Sequence, residues 1–313
     1  MTDSKQGQTP IEDLDELRSY FASHNVVREY IAHTSKVHSV GWSCDGRRLA
    51  SGSFDKSVAI FNLERNRLVQ DFVFKGHTGS VDQLCWHASH PDLLSTASGD
   101  KSVRIWDTRS RKCAAAISTK GENINIAWSP NGATIAVGNK EDLVSFIDAR
   151  TYKVVASNFQ CAEVTLEHFY YPGLELQTVL KAHPGTCICI EHDPTGRYFA
   201  TGSADALVSL WDTDELACLR VFSRFDGRLL ASASEDHVID IGDTETGTLR
   251  SFRKKYLNSF SGEKVAEIPV QAATFTVAWH PSRYLLAFAC EDKEPPERKR
   301  DAGNLKLWGL SNN

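Results

Sequence analysis

An all-β fold built from repeated antiparallel sheets is predicted by three features: an internal repeat, two-residue alternation of apolar side chains, and regularly spaced polar turns. Five segments align as strand, turn and strand: RRLASGSFDKSVAIFN from Arg47, DLLSTASGDKSVRIWD from Asp92, ATIAVGNKEDLVSFID from Ala133, RYFATGSADALVSLWD from Arg197 and RLLASASEDHVIDIGD from Arg228. Alternation of this kind is typical of strands with one buried face. Each segment is therefore predicted to form a β-hairpin.

A further short apolar strand precedes most of these hairpins. Turn signals such as Asp45-Gly46 and Asp193-Pro194-Thr195-Gly196 separate that strand from the hairpin. The predicted leading strands lie at residues 40–42, 81–86, 124–128, 187–190 and 275–279, and a last strand lies at residues 305–308. The repeating unit is thus larger than a hairpin.

The composition is that of an ordinary globular protein. The chain has 313 residues, 35 Lys+Arg against 40 Asp+Glu, a net charge of -5 and 41% apolar residues. A net negative charge argues against a surface that binds nucleic acid throughout.

The apolar runs are too short to cross a bilayer, and the polar start lacks the layout of a signal peptide. These two features predict the cytosol or nucleus. The 8 cysteines show no CxxC pair, so no metal is expected.

Paired Gly-His and Trp-Asp dipeptides mark two of the repeats. Gly76-His77 stands before Trp106-Asp107, and Ala182-His183 stands before Trp211-Asp212. This pattern resembles the WD-repeat family. The resemblance implies a β-propeller of four-stranded blades over residues 26–313, with residues 1–25 as a leader.

The resemblance also implies a hydrogen-bond network among a His, a Ser or Thr, a turn Asp and a Trp. Complete sets are His77, Thr96, Asp100 and Trp106, and His183, Thr201, Asp205 and Trp211; a third set holds His33, Ser51 and Asp55, with Phe61 in place of Trp. A buried polar group left unpaired costs about 1–3 kcal/mol, which explains why such side chains must bond one another. A hydrolase triad is the other interpretation, but recurrence at fixed spacing favours a structural role. No catalytic, cofactor-binding or metal-binding residue is therefore expected.

The spacing of the turn residues predicts seven blades. These residues are Asp55, Asp100, Glu141, Asp205, Asp236 and, in the last unit, Ala302. Two intervals are too short for complete units, so the fourth and sixth blades are predicted to be incomplete. Surplus residues lie at 248–262 and 291–303. A variant transcript or gene model and a genuine inserted loop explain this irregularity equally well.

The start of the chain combines a helix with a strand. Thr9 as N-cap, Pro10 and Glu12 predict a helix start, followed by apolar residues at helical spacing, namely Ile11, Leu14, Leu17 and Phe21. Packing on the propeller flank is favoured over presentation to a partner. Residues 26–31 (VVREYI) are predicted to pair beside residues 305–308, as the outermost strand of the last blade.

No phosphate-binding loop, HExxH, nucleophile elbow or calcium loop occurs, so no enzyme is expected. Charged stretches at 250–255 and 291–301 could touch RNA, but solvated loops are the favoured interpretation.

Strings such as GHTGSVDQLCWH and FATGSADALVSLWD resemble the WD-repeat members of the nuclear THO part of the TREX assembly. That resemblance implies a nuclear scaffold for mRNA processing and export that binds other THO/TREX subunits, with RNA contact indirect or weak. A ubiquitin-ligase substrate receptor or a histone-peptide reader is the alternative.

Overall fold

The computed structural model describes residues 11, 13–159, 166–170, 175–180, 187–192, 198–203, 208–212, 215, 218–221, 229–233, 238–243, 264–290 and 303–311. This part contains one α-helix, α1 (Leu14–Ser23), and a first strand, β1 (Val26–His33). Within it, no helix combines the length and apolar character that a bilayer span requires. The network residues His183 and Asp205 and the stretches at 248–262 and 291–302 lie outside the described residues.

Four-stranded antiparallel sheets follow β1 along the chain. Sheet 1 consists of β2 (Val37–Trp42), β3 (Arg48–Ser53), β4 (Ser57–Glu64) and β5 (Arg67–Lys75). Sheet 2 consists of β6 (Val81–Trp86), β7 (Leu93–Ser98), β8 (Ser102–Asp107) and β9 (Lys112–Ser118). Sheet 3 consists of β10 (Asn123–Trp128), β11 (Thr134–Asn139), β12 (Leu143–Asp148) and β13 (Lys153–Phe159). Each sheet is a meander, as the repeated hairpins predict.

The next three sheets differ in their number of strands. Sheet 4 contains β14 (Leu166–Tyr170) and β15 (Glu175–Leu180). Sheet 5 contains β16 (Cys187–His192), β17 (Tyr198–Ser203), β18 (Val208–Asp212) and β19 (Cys218–Val221). Sheet 6 contains β20 (Leu229–Ala233), β21 (Val238–Asp243) and β22 (Lys264–Pro269). In the described residues, sheet 4 has two strands and sheet 6 has three. The incompleteness of the fourth and sixth blades stays a prediction, because residues beside both sheets lie outside the described part of the chain.

Sheet 7 joins the two ends of the described chain. It contains β23 (Thr274–Trp279), β24 (Leu286–Cys290) and β25 (Gly303–Leu310), and β1 is its outermost strand. β1 runs antiparallel to β25, with Val27 opposite Trp308 and Tyr30 opposite Leu305. The predicted pairing of residues 26–31 with the last strand is therefore confirmed. It covers an edge of β25 that would otherwise be open.

The cores lie between successive sheets. Sheets 7 and 1 share buried residues that include Leu49 and Leu307, sheets 1 and 2 share Ile60 and Val81, and sheets 2 and 3 share Ile105 and Ile135. Sheets 6 and 7 meet around buried residues that include Ile239 and Phe288. Burying one such side chain contributes about 1.5–3 kcal/mol.

Tryptophans at the ends of the innermost strands also connect neighbouring sheets. The Trp42 indole donates to the carbonyl of Ala278 at 3.2 Å, and the Trp86 indole donates to the carbonyl of Gly41 at 2.8 Å. The Trp279 indole is buried without a hydrogen-bond partner in the described part of the chain. The Trp128 indole nitrogen also has no described partner, although β6, the innermost strand of the neighbouring sheet 2, is described.

The helix begins at Leu14, so the predicted start at Thr9 is wrong. Asp13 is the N-cap, and its carboxylate accepts hydrogen bonds from the amides of Asp15 and Glu16. A carboxylate at this position satisfies amides that have no partner within the helix. Thr9, Pro10 and Glu12 lie outside the described residues.

The predicted packing of α1 against the body of the sheets is confirmed. Leu17 and Phe21 are 1% and 2% exposed within the core between sheets 6 and 7. The Phe21 ring stacks on Trp308 with centroids 4.7 Å apart. Ile11 and Leu14 pack against the same cluster.

Candidate functional site

The second unit brings together all four residues of its predicted network. His77 Nδ1 lies 2.9 Å from Asp100 Oδ2, and His77 Nε2 lies 2.7 Å from Thr96 Oγ1. The Trp106 indole donates to the same Thr96 oxygen at 2.9 Å. Because a carboxylate only accepts, we assign the imidazole proton to Nδ1. The Thr96 hydroxyl then donates to His77 Nε2 and accepts from the Trp106 indole, so each of these polar side-chain atoms has a hydrogen-bond partner.

The first unit forms a shorter version of this network. His33 Nδ1 lies 3.1 Å from Asp55 Oδ2, and His33 Nε2 lies 2.8 Å from Ser51 Oγ. Phe61 is buried at the position of the tryptophan and has no indole to donate. The Ser51 hydroxyl therefore receives no hydrogen bond from an indole, as the sequence predicts.

In the fifth unit, the structure describes two of the four predicted residues. The Trp211 indole donates to Thr201 Oγ1 at 3.0 Å, and both side chains are buried. This bond matches the one between Trp106 and Thr96 in the second unit. The positions of His183 and Asp205 stay predictions.

Two further groups bind the turn aspartate and were missed in the sequence. The Ser102 hydroxyl donates to Asp100 Oδ1 at 2.6 Å, and the Thr78 amide donates to Asp100 Oδ2 at 2.9 Å. Ser57 makes the equivalent bond to Asp55 in the first unit. The available signal was a serine two residues after the aspartate in both units.

The network combines a neutral imidazole with a charged carboxylate. Burial raises the pKa of Asp100, but hydrogen bonds from Ser102, Thr78 and His77 outweigh it and hold the pKa far below its ordinary value. Burial lowers the pKa of His77 and outweighs the opposing effect of Asp100. Thr96 is 0% exposed. A hydroxyl that is fully bonded and sealed from solvent cannot meet a substrate, so this arrangement is suited to holding strands together.

Histidines at the ends of two innermost strands form another set of contacts, which the sequence did not indicate. His280 Nε2 donates to the carbonyl of Gly46 at 2.9 Å, and His280 Nδ1 accepts from the Ser282 amide at 3.1 Å. Gly46 has φ +68°, and a Cβ there would lie 2.4 Å from His280 Nε2. His87 packs in the same way against Gly132 of the following sheet. Glycine is thus required at these turns for both backbone and space.

Burial lowers the pKa of His280 from 6.5 to about 4, although the hydrogen bond to Gly46 acts in the opposite direction. Unfolding restores the ordinary pKa, so the unfolded chain takes up a proton at a higher pH than the folded chain. The resulting contribution to stability is complete above pH 6.5 and is lost as the pH falls towards 4. It amounts to about 3 kcal/mol.

We expect the free energy of unfolding to decrease as the pH falls from about 7 to about 5, and His280→Gln to reduce that decrease. Glutamine does not titrate, so one source of the pH dependence is removed. Urea unfolding at several pH values measures this slope. His90→Gln is the control because His90 is exposed. Equal slopes in the His280→Gln protein and the control would contradict the assignment.

Within the described ranges, no group of three or more His, Cys, Asp or Glu side chains is arranged to hold a metal ion.

The "WD domain, G-beta repeat" family profile matches residues 24–62, 69–107 and 174–212. The chain is 41% identical to a protein named THO complex subunit 3 from Arabidopsis thaliana, over 90% of this chain and 95% of that protein. It is 27% identical to WD repeat-containing protein AAC3 from Dictyostelium discoideum, over 89% of this chain and 66% of that protein. The chain therefore belongs to the WD-repeat family, and it resembles THO complex subunit 3 along almost its whole length.

Proposed function

We propose that this chain is a non-catalytic scaffold subunit of the nuclear THO part of the TREX complex. In this role it couples transcription to mRNA processing and export through contacts with other THO/TREX proteins. The observation that carries the proposal is 41% identity to a protein named THO complex subunit 3, over 95% of that protein. A match of this extent includes the repeats and the segments between them.

The polar clusters of the repeats support a scaffold rather than an enzyme. His77, Thr96 and Asp100 bond one another, and His77 and Thr96 are buried. Their hydrogen-bonding capacity is used within the fold, so they hold the sheets in a fixed geometry. Rigid sheets with short connecting loops offer several surfaces to partners without a change of shape.

We further propose that the seven sheets form one closed seven-bladed propeller over residues 26–313. Sheets 6, 7, 1, 2 and 3 pack in that succession through shared cores, and β1 pairs with the last strand, β25. The division that treats residues 1–25 as a leader belongs to the same proposal. Helix α1 packs on this body, so the leader is attached to it.

Affinity purification of the tagged chain from nuclear extract tests the proposed function. We expect recovery of THO subunits, and we expect that recovery to persist after ribonuclease treatment because the contacts are between proteins. Tag alone is the control. Recovery of cullin adaptors or histones without THO subunits would reject the proposal in favour of a ubiquitin-ligase receptor or a histone reader. Loss of the THO subunits after ribonuclease would instead show association through RNA.

A further inference from the structure

A hollow rich in arginine lies where sheet 7 meets sheet 1. It has a volume of about 630 Å³ and is lined by Arg28, Glu64, Arg65, Arg67 and Val69. Arg28 belongs to β1, the outermost strand of sheet 7. The other four residues belong to the hairpin that joins β4 to β5, the outermost strand of sheet 1.

Hydrogen bonds hold the two walls of this hollow together. The Arg28 guanidinium donates to the carbonyl of Asn66 at 3.4 Å, and the guanidinium of Arg283, from sheet 7, donates to the Asn66 side chain at 3.3 Å. The Leu68 amide donates to the Tyr30 hydroxyl at 3.2 Å. The hairpin tip of sheet 1 is therefore fixed against sheet 7, which places Arg65 and Arg67 on the same side of the junction as Arg28.

The positive charge of this hollow is not neutralised within the described part of the chain. Arg28, Arg65, Arg67 and Arg283 form no ion pair with a described carboxylate, whereas Arg48 and Arg111 elsewhere pair with Asp92 and Asp71. Glu64 is the one acidic side chain in the lining. The lining thus holds three guanidinium groups against one carboxylate, which leaves a local excess of positive charge on a protein whose net charge is -5.

We infer that this hollow binds an acidic segment of a partner protein. Guanidinium groups donate paired hydrogen bonds to carboxylates, and Val69, which is 38% exposed, offers an apolar contact to the stem of a glutamate. The inference rests on the proposed function, because it assumes that the chain works through contacts with proteins. It adds the chemistry of one partner segment and the place where that segment binds.

An acidic peptide fits this hollow better than RNA does. Among the described residues, no aromatic side chain lines the hollow, and single-stranded RNA is commonly held by stacking of its bases on aromatic rings. The arginines also form a compact group rather than a track along the surface.

A fluorescein-labelled hexaglutamate peptide and the purified full chain test the inference by fluorescence anisotropy at low ionic strength. We expect binding that weakens as salt is added, and a loss of affinity of about tenfold or more in the R65Q/R67Q variant. Both arginines are exposed, so the substitutions leave the fold intact. The R109Q/R150Q variant is the matched control, because it removes two exposed arginines from the hairpin tips of sheets 2 and 3.

Three outcomes would overturn the inference: no binding of the peptide to the unsubstituted chain, an equal loss of affinity in both variants, or displacement of the peptide by equimolar oligouridylate. The first outcome would show that the hollow does not bind acidic peptides. The second would show that the peptide binds through the overall charge of the protein, and the third would show that RNA is the better ligand. The assay uses one purified protein, so its failure leaves the recovery of THO subunits from nuclear extract unaffected. Failure of that recovery, with the peptide still bound specifically, would reject the proposed function alone.

Discussion

Replacing Asp100 by alanine is expected to lower the free energy of unfolding by about 3 kcal/mol or more. Its carboxylate accepts hydrogen bonds from His77, from the Ser102 hydroxyl and from the Thr78 amide. Alanine leaves the buried His77 imidazole without an acceptor, and the Ser102 hydroxyl and the exposed Thr78 amide lose their common partner. Urea unfolding monitored by tryptophan fluorescence measures the change.

Asp71→Ala is the matched control for this experiment. Asp71 pairs with Arg111 at 2.7 Å, but the Arg111 side chain is 60% exposed. An exposed ion pair of this kind contributes about 0–1 kcal/mol. Asp100→Asn should lie between the two variants because it retains one acceptor oxygen. If Asp100→Ala were no more destabilising than Asp71→Ala, the network would have no structural role.

The second large effect is expected for Phe21→Ala, which should lower the free energy of unfolding by about 3–5 kcal/mol. Phe21 is 2% exposed, stacks on Trp308 and meets the Tyr284 ring edge-on at 5.7 Å. Alanine leaves a cavity between α1 and sheet 7 that rigid strands cannot close. Thermal and urea unfolding of the full chain measure the loss.

Phe54→Ala provides a control of the same residue type. Phe54 is 59% exposed in the turn between β3 and β4, so its removal should change stability by less than about 0.5 kcal/mol. A similar small effect for Phe21→Ala would show that α1 contributes little to the core. A large effect would establish that the helix is part of the folded body.

The strands and the His, hydroxyl and Asp residues of the networks were predictable because their signals are local. Alternating side chains define strands such as β8, and the repeat brings His77, Thr96 and Asp100 to fixed positions within one unit. The helix start was mispredicted because Thr9, Pro10 and Glu12 have the spacing of a capping pattern. In the structure, the Asp13 carboxylate accepts from the amides of Asp15 and Glu16 and caps the helix.

Contacts between sheets could not be predicted from the sequence for a different reason. His280 and Gly46 are 234 residues apart, and nothing near either residue indicates the other. Their contact depends on sheet 7 lying beside sheet 1, which is a property of the whole arrangement. The arginine hollow depends on the same neighbourhood, because Arg28 and Arg67 come from different sheets.

The pairing of β1 with β25 has a consequence for biosynthesis. On the ribosome, Val26–His33 is made before its hydrogen-bonding partner, Gly303–Leu310, with most of the described strands in between. The nascent protein must therefore carry an unsatisfied strand while those strands are translated, when such a strand is open to wrong partners. Products of premature termination that lack the final strand cannot satisfy it at all, which makes them targets for chaperones and proteases.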